Sequence, residues 1–366
     1  MAHLDVVPVD EDAPWRHPAW GAEIHDGAIW GRGTLDDKGQ LVAIAEAVER
    51  LLERGFVPAQ DVWLSFGSTE EVSGETAGLA VDALRERGVA PWFVLDEGGA
   101  VAAQAFPGID PPLGVVGVTE KGVTNLELRV DGRGGHASTP TRGDAVARLA
   151  RAISRLDRSP MPSSVPAPTL ELFRRIAPHA PAALRPLMAN ARRLQPILSR
   201  ALVAAGPEAA AMTRTTLAVT TLSASPAVNV IASTARAGVN ARVMVGDTVD
   251  AVVDHVRRTI KDDGVSVSVL EAGEATPVSP HDDDAFRLIE SAIEAVFPEA
   301  VPTPYVMMAA TDSRFFTAIC DRVYRFAPFR MTKAQREAIH SYDEHLGVED
   351  FLDGITFYER LLEDLR

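Results

Sequence analysis

K-G-Q-L-V-A-I-A-E-A-V-E-R-L-L-E-R, residues 38–54, is followed by D-V-W-L-S-F at 61–66, T-A-G-L-A-V-D-A-L-R-E-R at 76–87 and W-F-V-L at 92–95. The first run places Leu41, Ile44, Ala45, Val48, Leu51 and Leu52 on one helical face, and Gly55 stops it. The second reads as a strand. The third reads as a helix ended by Gly88, and the fourth as a short buried strand. Strands alternating with helices predict an α/β domain built on a parallel sheet.

Outward from this stretch the pattern changes. Gly122 to Asp131 alternates apolar and polar residues, which suits a half-buried strand. Strands follow at Leu217–Leu222, Ala235–Val245 and Val265–Leu270, and helices at Asp144–Leu156 and Asp247–Lys261. These predict a small α+β domain with two helices on one face. Residues 159–213 resemble neither part: Pro-rich at first, then rich in Ala, Leu and Arg, with prolines dividing it into short helices. From about Pro277 the α/β pattern resumes, with helices near Asp284–Phe297 and Val348–Leu365. The plan is a first domain split around an inserted one: 1–120 and 273–366 enclose 121–272, which carries the insert 159–213.

Composition narrows the class. A chain of 366 residues predicts two or three domains. Asp and Glu number 51 against 36 Lys and Arg, a net charge of −15, which argues against nucleic acid or an anionic membrane as partner. The single cysteine, Cys320, excludes an internal disulfide framework and suits a reducing compartment. The longest uncharged run, between Arg214 and Arg236, is interrupted by Thr, Ser, Pro226 and Asn229 and is no membrane span. A cytoplasmic location is the expectation, unless a targeting segment is missing from the start.

Four clusters hold acids and histidines where chemistry could occur. In H-L-D-V-V-P, His3 and Asp5 share one side of a strand, so a ligating His3 could be oriented by Asp5; the plainer reading is a surface histidine and a turn aspartate. In G-R-G-T-L-D-D-K-G, Asp36 and Asp37 stand at a helix start, where an N-cap is the commoner use. Glu70-Glu71 follows a strand; burying both needs a cation, whereas a solvated loop does not. Asp96, in D-E-G-G, ends a buried strand, where α/β sheets bind ligands, or simply starts a turn. With His340 these clusters supply two imidazoles and three carboxylates, with acids left over for proton transfer. That set suits two zinc-like ions sharing a carboxylate.

In order, H-L-D-V-V-P, G-R-G-T-L-D-D-K-G, T-E-E, D-E-G-G, G-G-H-A-S-T-P, N-V-I, T-D-S-R-F-F and I-H-S-Y-D-E-H resemble the dizinc aminoacylase/carboxypeptidase family. The likeness covers the whole chain and is greatest to the carboxypeptidase S and N-fatty-acyl-amino-acid hydrolase branch. It implies a zinc-exopeptidase-like α/β catalytic domain with an inserted α+β lid/dimerisation domain, and a homodimer acting on a small-molecule substrate. The expected reaction is hydrolysis of the amide bond of N-acyl amino acids or short peptides with a free carboxylate. Two zinc ions are the implied cofactors, with cobalt or manganese as alternatives. His3 and Asp96 would bind one ion, Glu71 and His340 the other, and Asp36 would bridge them beside a non-proline cis peptide.

In the same resemblance Asp5 orients His3, and Glu70 is the general base that activates water. His136 would reach the oxyanion of the other subunit. Asn229, Arg242, Thr311 and Arg314 would contact substrate, Arg242 by gripping a carboxylate; Arg314 could equally serve as a structural ion-pair partner. Family chains carry a helix and opening strands before H-L-D, whereas here His3 nearly starts the chain. That predicts an N-terminally truncated chain with a frayed, weakened first metal site. The alternative function is an impaired or silent binding protein. Phe173, Leu184, Leu187, Met188, Leu194 and Leu198, at near-helical spacing, suggest either a pocket for an apolar acyl group or packing of the insert.

Overall fold

The computed structural model describes residues 1–72 and 74–365. The chain divides into two compact units: 1–119 with 168–193 and 277–366, and 120–167 with 194–276.

In the first unit the main sheet runs, by strand, Arg330–Met331, Ala100–Ala102, Leu113–Glu120, Val323–Arg325 and Val94–Asp96, with Val301–Met307 also paired to Leu113–Glu120. Its ladders are mixed rather than all parallel. Val323–Arg325 runs parallel to Val94–Asp96, but Ala100–Ala102 is antiparallel to Leu113–Glu120. A hairpin return, needing only a short loop, is the reason the alternating helix–strand pattern did not extend to this edge. Helix Lys38–Glu53 buries Ala43, Ile44, Ala47 and Leu51. Ala45 and Leu52 are exposed, so the buried face is turned from the predicted one toward the small alanines, which permit close approach to helix Val348–Glu363. Phe286, Ile289, Ile293, Phe326, Phe329 and Phe357 fill the core below.

Of the predicted strand 61–66 only Phe66–Gly67 enters a ladder, parallel to Ala2–His3. That pairing corrects the expectation of a frayed start. His3 is 1 % exposed, Leu4 N donates to Gly67 O at 2.8 Å, and His3 N donates to an Asp37 carboxylate oxygen at 3.1 Å. These bonds anchor His3 directly.

The second unit is a four-stranded antiparallel sheet in the order Thr216–Ser223, Thr234–Val243, Gly122–Asp131, Ser266–Glu271. Leu126, Leu128, Val130, Ala237, Val239 and Ala241 face one side, where helices Ala145–Asp157 and Val249–Ile260 cover them. Asp144 caps the first helix by accepting from Ala147 N, and Thr248 caps the second by accepting from Ala251 N.

The insert 159–213 is not one body. Residues 168–193 belong to the first unit and 194–213 to the second. The reason is burial. Phe173 packs its ring 5.5 Å from Phe106, and Arg175 pairs with Glu290, both in the first unit. Phe173, Met188 and Leu198 are spent in packing, each under 10 % exposed, which favours the packing reading of this segment over an acyl pocket. No helix among the described residues is long and apolar enough to cross a membrane.

Candidate metal centre

Four segments distant in sequence bring their polar ends together in the first unit. His3 ends its short strand with Nδ1 3.0 Å from the Asp5 carbonyl oxygen. Holding Nδ1 protonated in this way leaves Nε2 as the free lone pair. Nε2 meets Asp36 Oδ1 at 2.9 Å, while Asp36 Oδ2 lies 3.0 Å from His340 Nε2. Asp36 thus presents one oxygen to each imidazole, the geometry of a bridge. His340 Nε2 also lies 3.1 Å from Glu71 Oε2. The ligand atoms of His3, Asp36 and Glu71 all fall within 4.8 Å of one another. The Asp36-Asp37 peptide is cis.

Asp5 lies against His3 as expected, with its Oδ1 3.5 Å from Nδ1, and has a further use. Its main-chain carbonyl orients His3, and its carboxylate accepts the amides of Glu70 (3.2 Å) and Glu71 (3.0 Å). One aspartate therefore registers the His3 strand against the turn Glu70–Val72. Val7 N donates to Glu71 Oε1 at 3.2 Å and completes that registration.

The electrostatics call for a cation. The carboxyl of Asp36 is held well below its usual range by hydrogen bonds with His3 and His340, against the opposing effect of burial. The His340 imidazole is pushed up to about 10 by its hydrogen bonds with Asp36 and Glu71. Burial lowers the affinity of His3 for a proton, but Asp36, Asp37 and Glu70 outweigh it and raise this group also to about 10. Glu70 is raised to about 8, first by burial, then by the charges of Asp312, Asp36 and Glu71. Asp37 is buried with Oδ1 unpartnered, and burial drives its carboxyl well upward. So many acids around two imidazoles stay ionised together only with added positive charge. Nitrogen and oxygen donors 2.9–3.1 Å apart lie a few tenths of an ångström inside the edge, about 3.3–3.6 Å, of a coordination tetrahedron with bonds of roughly 2.0–2.2 Å, so a small outward shift admits an ion. The residues present therefore fit a divalent cation.

The remaining predicted residues divide. Asp96 is buried, and its Oδ2 accepts the Ser313 amide at 2.8 Å. Its neighbour Glu97 feels burial first and then the charges of Asp36, Asp37, Asp96 and Glu70, which raise its carboxyl well above the usual range. Thr311 is buried with its hydroxyl 2.6 Å from that of Ser313. Arg314 donates to the Thr311 carbonyl and lies over the Phe315 ring at 4.7 Å, a role within its own turn.

His136, Asn229 and Arg242 belong to the second unit. His136 sits in the pair Gly135–His136 with Val230–Ile231, and Ala137 N donates to Asn229 O. Arg242 lies eight residues along its strand from Thr234, about 26 Å at ~3.3 Å per residue. The structure joins His136 to Asn229 and leaves Arg242 toward the opposite end of the sheet.

Sequence reasoning missed Glu344. It is fully buried and pairs with Arg32 at 2.6 Å, and its Oε1 accepts the amides of Leu35 (2.8 Å) and Asp36 (3.2 Å). Arg32 also donates to Ser341 O. The pair ties the Asp36 loop to the turn carrying His340, whose φ of +62° lies in the left-handed region. The only signal in the chain is Glu344 four residues beyond His340 and Arg32 between two glycines.

A fold of this kind, with histidines and acids focused on a cation site, defines a metallohydrolase. The chain matches the family described as "Peptidase family M20/M25/M40" over residues 1–364, and it belongs to that family. It is 36 % identical to "Probable carboxypeptidase S-like 2" of Dictyostelium discoideum, over 99 % of this chain and 70 % of that protein. It is 35 % identical to "N-fatty-acyl-amino acid synthase/hydrolase PM20D1" of Homo sapiens, over 100 % of this chain and 73 % of the relative. Among solved structures, an M20 family metallo-carboxypeptidase from Sulfolobus solfataricus superposes with a TM-score of 0.69 at 18 % identity, covering 99 % of this chain and 83 % of that one. The chain is therefore an M20 hydrolase related to N-acyl amino acid hydrolases and carboxypeptidases, and the silent binding-protein alternative has no support.

Proposed function

We propose that this hydrolase cleaves the amide bond of N-acyl amino acids or short peptides carrying a free carboxylate. The observation that carries the reading is Asp36, one oxygen facing each of His3 and His340, with Glu70 raised toward neutrality nearby. Two zinc ions, or cobalt or manganese, would lower the pKa of water and polarise the substrate carbonyl when bound. His3, Asp36, Glu71 and His340 are the proposed ligands. Glu97 is proposed beside His3 in place of Asp96, because the charges of Asp36 and Glu70 act on its buried carboxyl while one oxygen of Asp96 is engaged by Ser313.

Glu70 takes a proton from the attacking water and returns it to the departing amine nitrogen. A carboxyl raised to about 8 exchanges its proton close to neutral pH and can serve both transfers. Asp5 holds the Glu70 backbone in place for this. His136, through a second protomer of a homodimer, is the proposed oxyanion donor. Asn229 and Arg242 are proposed to hold the substrate, with the guanidinium of Arg242 on the carboxylate. The wide separation of His136 from Arg242 supports their serving different protomers' substrates. The second unit, 120–167 with 194–276, would then be the lid.

The test measures metal content and turnover of acetyl- and long-chain-acyl amino acids by the wild type and Glu70→Ala. Turnover in the wild type and its loss at unchanged metal content in the variant are expected. Full metal occupancy without turnover in the wild type overturns the reading.

A further inference from the structure

A second group of ligand-type side chains lies outside the centre just described. His17, Glu23 and His25 bring their ligand atoms within 4.8 Å of one another. Glu23 and His25 are two apart on the strand Glu23–His25 and so share a face. His25 Nε2 lies 2.8 Å from Glu23 Oε2. His17 comes from the preceding segment 4–22, which contains neither helix nor strand, and stacks on His25 with centroids 3.9 Å apart and planes at 10°.

The surroundings hold this arrangement. Trp30 lies on the adjacent strand, opposite Glu23 in one register and His345 in the other. Its ring stacks on His345 at 4.2 Å, touches His17 at 4.8 Å, and its Nε1 donates to His25 O at 3.1 Å. The indole therefore forms a floor that fixes both histidine positions. Arg16, the adjacent cation, lies over the same Trp30 ring at 5.6 Å and pairs with Asp343 at 2.9 Å, which partly offsets its charge.

We propose that His17, Glu23 and His25 form a separate divalent-cation site of the zinc class, which fastens segment 4–22 to the hairpin Glu23–Trp30. Two imidazoles and one carboxylate form a ligand set suited to zinc, with a fourth position left to water because the group is at the surface. Bonds of ~2.0–2.1 Å place tetrahedral ligand atoms about 3.3 Å apart. The ligand atoms now lie within 4.8 Å of one another, so binding requires the stacked rings of His17 and His25 to tilt toward a common point. Nothing in this inference depends on the amidohydrolase reading.

Zinc alone is titrated into the full chain, and into His17→Gln, His25→Gln and Glu23→Gln, with a chromophoric chelator as competitor and metal analysis after gel filtration. The wild type is expected to hold one more zinc per chain than either histidine variant. Glu23→Gln is expected to keep the stoichiometry and weaken that ion more than about tenfold. Circular dichroism reports whether each variant is folded; should a histidine variant unfold, the affinity of Glu23→Gln decides. Equal stoichiometry and equal affinity in the wild type and the folded variants overturn the proposal.

Discussion

Glu344 offers the sharpest test of how the centre is assembled. Its side chain is fully buried and that of Arg32 is 3 % exposed, so neither charge has water as an alternative partner. Breaking such a pair from one side costs about 3–5 kcal/mol, because the other charge remains buried and uncompensated. Glu344→Gln keeps an oxygen for the Leu35 and Asp36 amides and should fall near the lower figure. Glu344→Ala also orphans those amides and should lose about 1–3 kcal/mol more. Removing both charges in Arg32→Met/Glu344→Gln relieves the uncompensated charge, so the double variant should be more stable than the two single losses added together. Urea unfolding followed by circular dichroism reads these differences as shifts in midpoint. Because the pair also registers Asp36 against His340, Glu344→Gln should weaken metal binding about tenfold. Single variants costing under about 1 kcal/mol, or a strictly additive double, would refute the assignment of the pair as the tie between the two loops.

Three further outcomes follow from the geometry. Glu97→Gln should lower metal occupancy while Asp96→Asn leaves it largely intact and costs stability instead; metal analysis of the two purified variants distinguishes them, and the reverse pattern would restore Asp96 as ligand. Chelation should be accompanied by proton uptake near pH 7–8, since His3 and His340 without a cation are pushed up to about 10; calorimetry in buffers of different ionisation enthalpy measures the protons, and none taken up would contradict the ligand pair. Burial would raise Glu171, but Arg174 and Arg175 hold it at about 2. With the folded value below the unfolded one near 4.5, its stabilisation is present above that pH and is lost on acidification toward 2. Glu171→Gln should remove that part of the acid sensitivity, and an unchanged acid-unfolding curve would count against it.

Much of the architecture was legible as local pattern. The predicted Gly122–Asp131 strand stands at those residues, and the helices at 145–157, 249–260 and 284–296 lie within two residues or so of their expected ends. Alternation and helical spacing are imposed on the chain residue by residue, so a linear reading recovers them. The motifs also indicated which segments would meet, since His3, Asp36, Glu71 and His340 were all singled out before any contact was known. Fold-scale interactions left no such trace. The antiparallel return of Ala100–Ala102, the rotation of the Lys38–Glu53 face and the division of the insert all depend on what lies across the core.

The choice within each acidic pair came from the family resemblance, and its physical reason belongs to the tertiary structure. Asp36 or Asp37, Glu70 or Glu71, Asp96 or Glu97 are equivalent as letters, differing only in which way a neighbouring side chain turns. Asp37 turns back to the amide of His3, and Asp96 to that of Ser313, leaving Asp36 between the imidazoles. Glu344 is the extreme case: its partners are 309 and 312 residues away, and its importance lies in being dry. The sequence by itself determined the elements, the kind of chemistry and the family. Why Asp36 rather than Asp37 stands between the imidazoles was decided only when a distant backbone amide claimed Asp37, because a hydrogen bond has direction and a composition does not.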